Sequence, residues 1–167
     1  GVILLEYHIH RERSAIHLNM PSDFEVASFV YRVGVLAIFE HEGNLSFYKS
    51  DGTLIKTFEI EFARTAQETE LGLMYRKSMK ENQGMLFVFH EEKPRSFWMH
   101  NTYIPLDIIY LNKEKEIVSI AKNAEPLSET SRPSEGDAMY VLEINAGLSD
   151  KLGLAKGDHM TFESLID

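Results

Sequence analysis

Two carboxylates, Asp107 and Glu143, interrupt runs that otherwise read as apolar strand, "IPLDIIYL" and "YVLEIN". A carboxylate in such a run must find donors, lose several kcal/mol of solvation, or stay protonated. Either residue could therefore serve as an acid or base with a shifted pKa. If the two side chains approached each other, they could form a carboxylate pair of the glycosidase type, but the sequence does not set their separation. The competing reading of Asp107 is structural, with Arg64, Arg76, Asn101 or Thr102 as candidate donors, and it is the preferred one. Arg76, in "GLMYRKSM", reads by default as a solvated surface residue. The sharper reading makes it a buried fork holding Asp107 or Glu143 bidentately.

The stretch "SFWMHNTYIPLD", residues 96–107, holds the chain's one tryptophan, Trp98. Strand alternation puts Phe97 and Met99 on one face and Ser96 and Trp98 on the other. If Phe97 and Met99 fill the core, Trp98 faces a groove, where a flat apolar ring suits a sugar, an aromatic ligand or a partner side chain. The alternative is a core indole with a bonded N–H. Asn101 and Thr102 read as turn chemistry, since Asn tolerates left-handed backbone. Pro105 restricts Ile104 to extended geometry at a strand entrance.

Other chemistries find less support. Glu6, His8 and His10 would share one face of a strand, with His17 nearby, in a plausible ligand pattern. Incidental histidines near a chain end are the preferred reading. Met74, Met79, Met85 and Met99 fit core filling better than soft-metal ligation, so no metal or cofactor is called for. The chain has no cysteine, which removes disulfides and thiol catalysis. No G-x-S-x-G elbow, P-loop or dinucleotide fingerprint occurs.

The elements that must position these residues follow from patterning. "LSFYKSDGTLIKTFEIEFA" is two extended runs around Asp51-Gly52, a hairpin signal. The second run alternates with a slip near Thr57. Thr65 and Glu68 form a capping box for a helix carrying Leu71 and Met74, weakened or ended at Gly72. "GMLFVFH" reads as a buried strand, followed by a charged Pro-containing turn before "RSFWMH". "PLDIIYL" and "EIVSIAK" flank "NKEK" as a hairpin-like pair. "PLSETSRPSEGDA" reads as the longest loop, and "MYVLEI" as a strand. "LSDKLGLAKGD" gives a helical turn stopped at Gly153, then a Gly157-Asp158 turn into the strand "HMTFES". Many strands and two or three short helices without βαβ alternation predict an α+β fold, strand-rich and largely antiparallel. Residues 1–40 read as an N-terminal extension, with a helix starting at "SDFE" and ending near Gly34, and residues 41–167 as a single globular domain.

The 167 residues carry 17 Lys and Arg against 26 Asp and Glu, a formal charge of −9. Such an acidic chain repels phosphate backbones and anionic lipid heads, so neither nucleic acid nor a membrane surface is an expected partner. The apolar run at residues 26–39 is too short for a span and is broken by Arg32. A first residue of Gly1 rather than Met suggests a processed or trimmed chain.

"FARTAQETELGLMYRKSM", "NQGMLFVF", "SFWMHNTYIPLDIIYL", "IVSIAKNAEPLS", "YVLEINAG" and "LGLAKGD" occur in the order of a known prokaryotic family. From about Leu45 to Phe162 the chain resembles the domain-of-unknown-function family numbered 192. The resemblance implies a compact α+β domain with a barrel-like sheet and, since many members look exported or lipid-anchored, an extracytoplasmic home. It brings no agreed activity. His100 stands where the family pattern usually has lysine. The reading that follows is a non-catalytic binding module for a small-molecule or protein ligand, with a pocket around Met74, Arg76, Trp98, Asn101 and Asp107. The alternatives are a hydrolase using Asp107 or Glu143 as acid/base, and an interaction or assembly domain with an exposed apolar patch.

Overall fold

The structure, a computed structural model, describes residues 38–167. The expected helix ending near Gly34 and the cluster of Glu6, His8, His10 and His17 lie outside the described residues.

The strands are β1 (Gly43–Tyr48), β2 (Leu54–Ala63), β3 (Gln83–Phe97), β4 (Leu106–Leu111), β5 (Ile117–Ala124), β6 (Arg132–Asn145) and β7 (His159–Ser164). Two short helices are described, α1 (Ala66–Leu71) and α2 (Leu148–Leu152). The seven strands form one sheet in the order β5-β4-β6-β3-β2-β1-β7. Every pairing is antiparallel except β2 with β3. A parallel pair needs a crossover rather than a tight turn, and α1 with the segment 72–82 supplies it. The outer edges of the sheet curl toward each other. Ile117 donates to the Asp158 carbonyl at 2.8 Å and Met160 to the Lys115 carbonyl at 2.9 Å, bringing the start of β5 against β7 as a half-barrel. The α+β, barrel-like expectation is met. No helix among the described residues is long and apolar enough to cross a membrane.

Local sequence explains most of the elements. The Asp51 side chain accepts from the Thr53 N–H at 2.9 Å, and Gly52 takes the positive φ of 87° that the β1–β2 turn requires. The slip in the β2 alternation corresponds to a register shift: Phe47 pairs with Lys56 and Tyr48 with Leu54, leaving Ile55 as the extra residue. At α1 the Thr65 hydroxyl accepts from the Glu68 N–H at 3.1 Å, and the Glu68 carboxylate accepts from the Thr65 N–H at 3.1 Å.

Two expectations are corrected. The charged Pro-containing turn before "RSFWMH" does not exist, because β3 runs on through Pro94 to Phe97. Register shifts between Val88 and Lys93 and between Pro94 and Ser96 absorb the misfit; Pro is tolerated in a sheet at such bulges. The second half of the expected long loop is the start of β6, with Arg132 opposite Phe97 and Ala138 opposite Lys93. Cross-strand pairing overrode the polar, Pro/Gly-rich local pattern.

The sheet buries both faces. Inside the curl, one cluster draws on all seven strands, including Phe47, Phe58, Leu86, Ile109, Leu142 and Met160. A second cluster lies on the other face of β2 to β6 and includes Phe87, Met99, Ile108, Tyr110 and Val141. The connections after β2 and β3 cover this second face through Leu73, Met99 and Ile104. With period-two alternation, Leu142 and Ile144 point into the curl, while Val141 and Glu143 point to the second face.

Candidate functional site: a cleft over Glu143

A cleft of about 270 Å³ opens on the second face. Residues 69–74, from the end of α1 onward, form one wall. Arg95, Ser96, Phe97 and Trp98 form the other. Phe87 and Glu143, both buried, close the base, and Thr102 completes the lining near Trp98.

Glu143 is placed there by register. It sits between Met85 of β3 and Ile108 of β4. Gly84 permits the close approach of β3, since a Cβ at that position would stand 2.9 Å from the Glu143 carbonyl oxygen. The Glu143 residue is 5% exposed, and among the described residues no donor is hydrogen-bonded to its carboxyl group. Burial alone pushes its pKa up to about 8. At neutral pH it is therefore mainly a carboxylic acid, able to donate one hydrogen bond or to ionise when charge of the opposite sign arrives. Tyr110 lies close enough to feel it: burial first, and then the Glu143 charge, push the phenol pKa well above its ordinary value. The phenol O–H itself donates to the Arg132 carbonyl.

The walls mix aromatic and apolar side chains with polar ones, among them Thr69, Glu70, Arg95 and Ser96. Trp98 is half-buried, packs with Leu71, Met74 and Tyr75, and stacks on the His100 ring at 5.1 Å and 21°. Its indole N–H is buried without a hydrogen-bond partner among the described residues. The Arg95 guanidinium lies 3.5 Å from the Phe89 ring centroid. Its Nε donates to the Ala138 carbonyl at 2.9 Å, and a terminal nitrogen donates to the Glu91 carbonyl. The Ser96 hydroxyl is bonded to that of Ser131, and Thr102 donates to the His100 carbonyl at 3.1 Å. Of the three hydroxyls in the lining, those of Ser96 and Thr102 thus already have partners, and the third belongs to Thr69 on the facing wall.

Of the five residues proposed from sequence, Met74 and Trp98 line the cleft, whereas Arg76, Asn101 and Asp107 do not. Arg76 is buried and forks onto Glu61 of β2, with one contact at 3.1 Å and a shorter one beside it. Neither Asp107 nor Glu143 is its partner. Burial raises the pKa of Glu61, and the Arg76 hydrogen bond and charge oppose that rise. Asn101 takes a positive φ of 50°, as its turn reading expects. Its Nδ2 donates to the Tyr75 hydroxyl at 2.7 Å, while the Tyr75 N–H donates back to its carbonyl at 2.9 Å. It thereby latches two covering segments together.

Asp107 is fully buried and holds backbone rather than ligand. It accepts from the Asn123 N–H at 2.9 Å, the Ser149 N–H at 2.9 Å and the Ser149 hydroxyl at 2.6 Å. None of the four donors considered from sequence is used. Asp107 pairs across the ladder with Ile144, which points into the curl, so Asp107 and Glu143 lie on opposite faces of the sheet. They cannot act as a glycosidase-type pair. Arg95 and Phe87 were missed: Arg95 reads only as the first residue after the charged Pro-containing turn, and Phe87 as part of a buried strand. The signal for Glu143 was present, a charge in an apolar strand, but not the face it points to. Among the described residues, no group of three or more His, Asp or Glu side chains could hold a metal ion.

Comparison with known proteins agrees with this architecture. A crystal structure of a protein of unknown function from Novosphingobium aromaticivorans DSM 12444 is 38% identical, with a TM-score of 0.67, over 71% of this chain and 83% of that one. A protein from Sinorhizobium meliloti 1021, described as a candidate transcription regulator, is 35% identical, with a TM-score of 0.70, over 76% of this chain and 96% of that one. No curated protein matches. The model of the DUF192 family, described as an uncharacterized ACR, matches residues 46–162, and the chain belongs to that family.

Proposed function

We propose that this protein binds a small organic ligand in the cleft between α1 and β3, without transforming it. The observation that carries the reading is Glu143: a buried carboxyl group to which none of the described residues donates, at the base of a cleft lined by Trp98, Phe97 and Met74. Its carboxyl group opens onto the cleft, where the donor of an incoming ligand can meet it. Aromatic side chains beside a few polar groups are the ordinary composition of a small-molecule pocket. Hydrolysis by a carboxylate pair has no support in this geometry, since Asp107 faces the other side of the sheet. Nucleic acid is not part of the proposal, because a formal charge of −9 opposes phosphate binding.

Trp98 is the single tryptophan, so its emission reports on this cleft alone. The test is a screen of small amines, carboxylates, sugars and aromatics read by Trp98 fluorescence and thermal shift together. Saturable changes that disappear in Ser96→Phe, which narrows the mouth from an exposed wall position, are the expected result. A screen in which no compound shifts either signal overturns the reading.

A further inference from the structure

Among the described residues, none donates to the Glu143 carboxyl group. From β4 the neighbouring titratable group is Tyr110, whose O–H is held by the Arg132 carbonyl. From β3 the charged lining residue is Arg95, whose Nε and one terminal nitrogen are held by carbonyls. From α1 it is Glu70, an acid. Arg76, in the segment after α1, is locked on Glu61. Asp107, on the strand beside Glu143, faces the opposite side of the sheet.

We propose that the cleft takes a protonated organic amine, its ammonium group paired with Glu143 and its flat apolar body against Phe87, Phe97, Trp98 and Met74. This deepens the binding function proposed above and rests on it. An ammonium brings the donors and the positive charge that Glu143 lacks. The surrounding rings favour it further, since an ammonium over an aromatic face is attracted to the ring's negative quadrupole. Glu70 in the same lining offsets the Arg95 charge, which is turned to the Ala138 and Glu91 carbonyls. Because burial pushes the free Glu143 pKa up to about 8, amine binding near neutral pH releases a proton from this carboxyl group. The ammonium stays protonated throughout, so the released proton comes from Glu143 alone.

The test uses the full chain with three probes of one shape: benzylamine, benzyl alcohol and benzoate. Trp98 emission should give saturable binding of benzylamine, about ten-fold or more tighter than benzyl alcohol, with benzoate weakest. Benzylamine affinity should rise about ten-fold from pH 6 to pH 8, and calorimetry in buffers of different ionisation enthalpy should show proton release at pH 7. In Glu143→Gln both the preference for the amine and the pH dependence should vanish. Carboxyl-carbon NMR of the wild-type protein is a second measurement independent of that variant, and saturating benzylamine should lower the Glu143 titration midpoint. Benzoate or benzyl alcohol binding as tightly as benzylamine overturns the amine assignment. So does an unmoved Glu143 midpoint, or no benzylamine binding while another compound of the screen fills the cleft. A screen in which nothing binds removes the cleft function itself.

Discussion

Replacing Glu143 by Gln should change how stability depends on pH, in a direction set by the burial of its carboxyl group. The carboxyl group titrates near 4.5 when unperturbed and is pushed up to about 8 by burial in the folded protein. A raised folded pKa favours the protonated form. Its contribution is therefore fully present below about pH 4.5 and is lost as pH rises through about 8. Each pH unit between those limits is worth about 1.4 kcal/mol, so the wild-type protein should lose about 3–4 kcal/mol between pH 5 and pH 8 through this one group. Gln has the same shape and no charge. It carries a pH-independent penalty of about 1–3 kcal/mol for a buried amide lacking partners. That penalty moves the whole curve and leaves its slope alone, so the difference in slope is the readout. Glu61 and every other titrating group are common to both proteins and cancel. Urea unfolding followed by Trp98 emission at unit intervals from pH 5 to pH 9 measures the difference directly. Wild-type and E143Q curves that stay parallel across this range would falsify the assignment of Glu143 as a buried, unpartnered acid.

Three further outcomes follow from other parts of the structure. Asp107→Ala strands the buried donors of Asn123 and Ser149 and should cost about 3 kcal/mol or more, read as a drop in unfolding midpoint without loss of amine preference at the cleft. Loss of ligand binding in a folded Asp107→Ala protein would instead couple it to the site. Arg76→Met leaves Glu61 buried without its counter-charge and should cost about 3–5 kcal/mol, with much of that recovered in the double variant Arg76→Met/Glu61→Leu. A double variant no more stable than the single one contradicts this account of the pair. Thr65→Ala removes one half of the capping box and should cost about 1 kcal/mol, measured by denaturation. Because α1 leads into one cleft wall, the same substitution should also weaken cleft ligands; unchanged affinity would show the wall to be independent of the cap.

Several elements were legible in the sequence because their causes are local. Asp51-Gly52 encodes a turn through one side-chain bond and one positive φ. Thr65 and Glu68 encode a helix start through reciprocal bonds three residues apart. The apolar run around Asp107 announces a strand buried on both faces, and Asn101 announces left-handed backbone. The continuation of β3 through Pro94 and the early start of β6 were not legible, because each polar segment is extended only by pairing with the other.

The sequence by itself determined that Asp107 and Glu143 are carboxylates in buried strands, and that Trp98 stands apart from Phe97 and Met99. Only the tertiary structure decided their roles. Neighbouring residues on a strand point to opposite faces, and the register of β4 on β6 sets Asp107 opposite Ile144 and Glu143 opposite Ile108. That one offset turns Asp107 toward Ser149, where three donors hold it. It turns Glu143 toward the cleft, where the described residues offer its carboxyl group no donor.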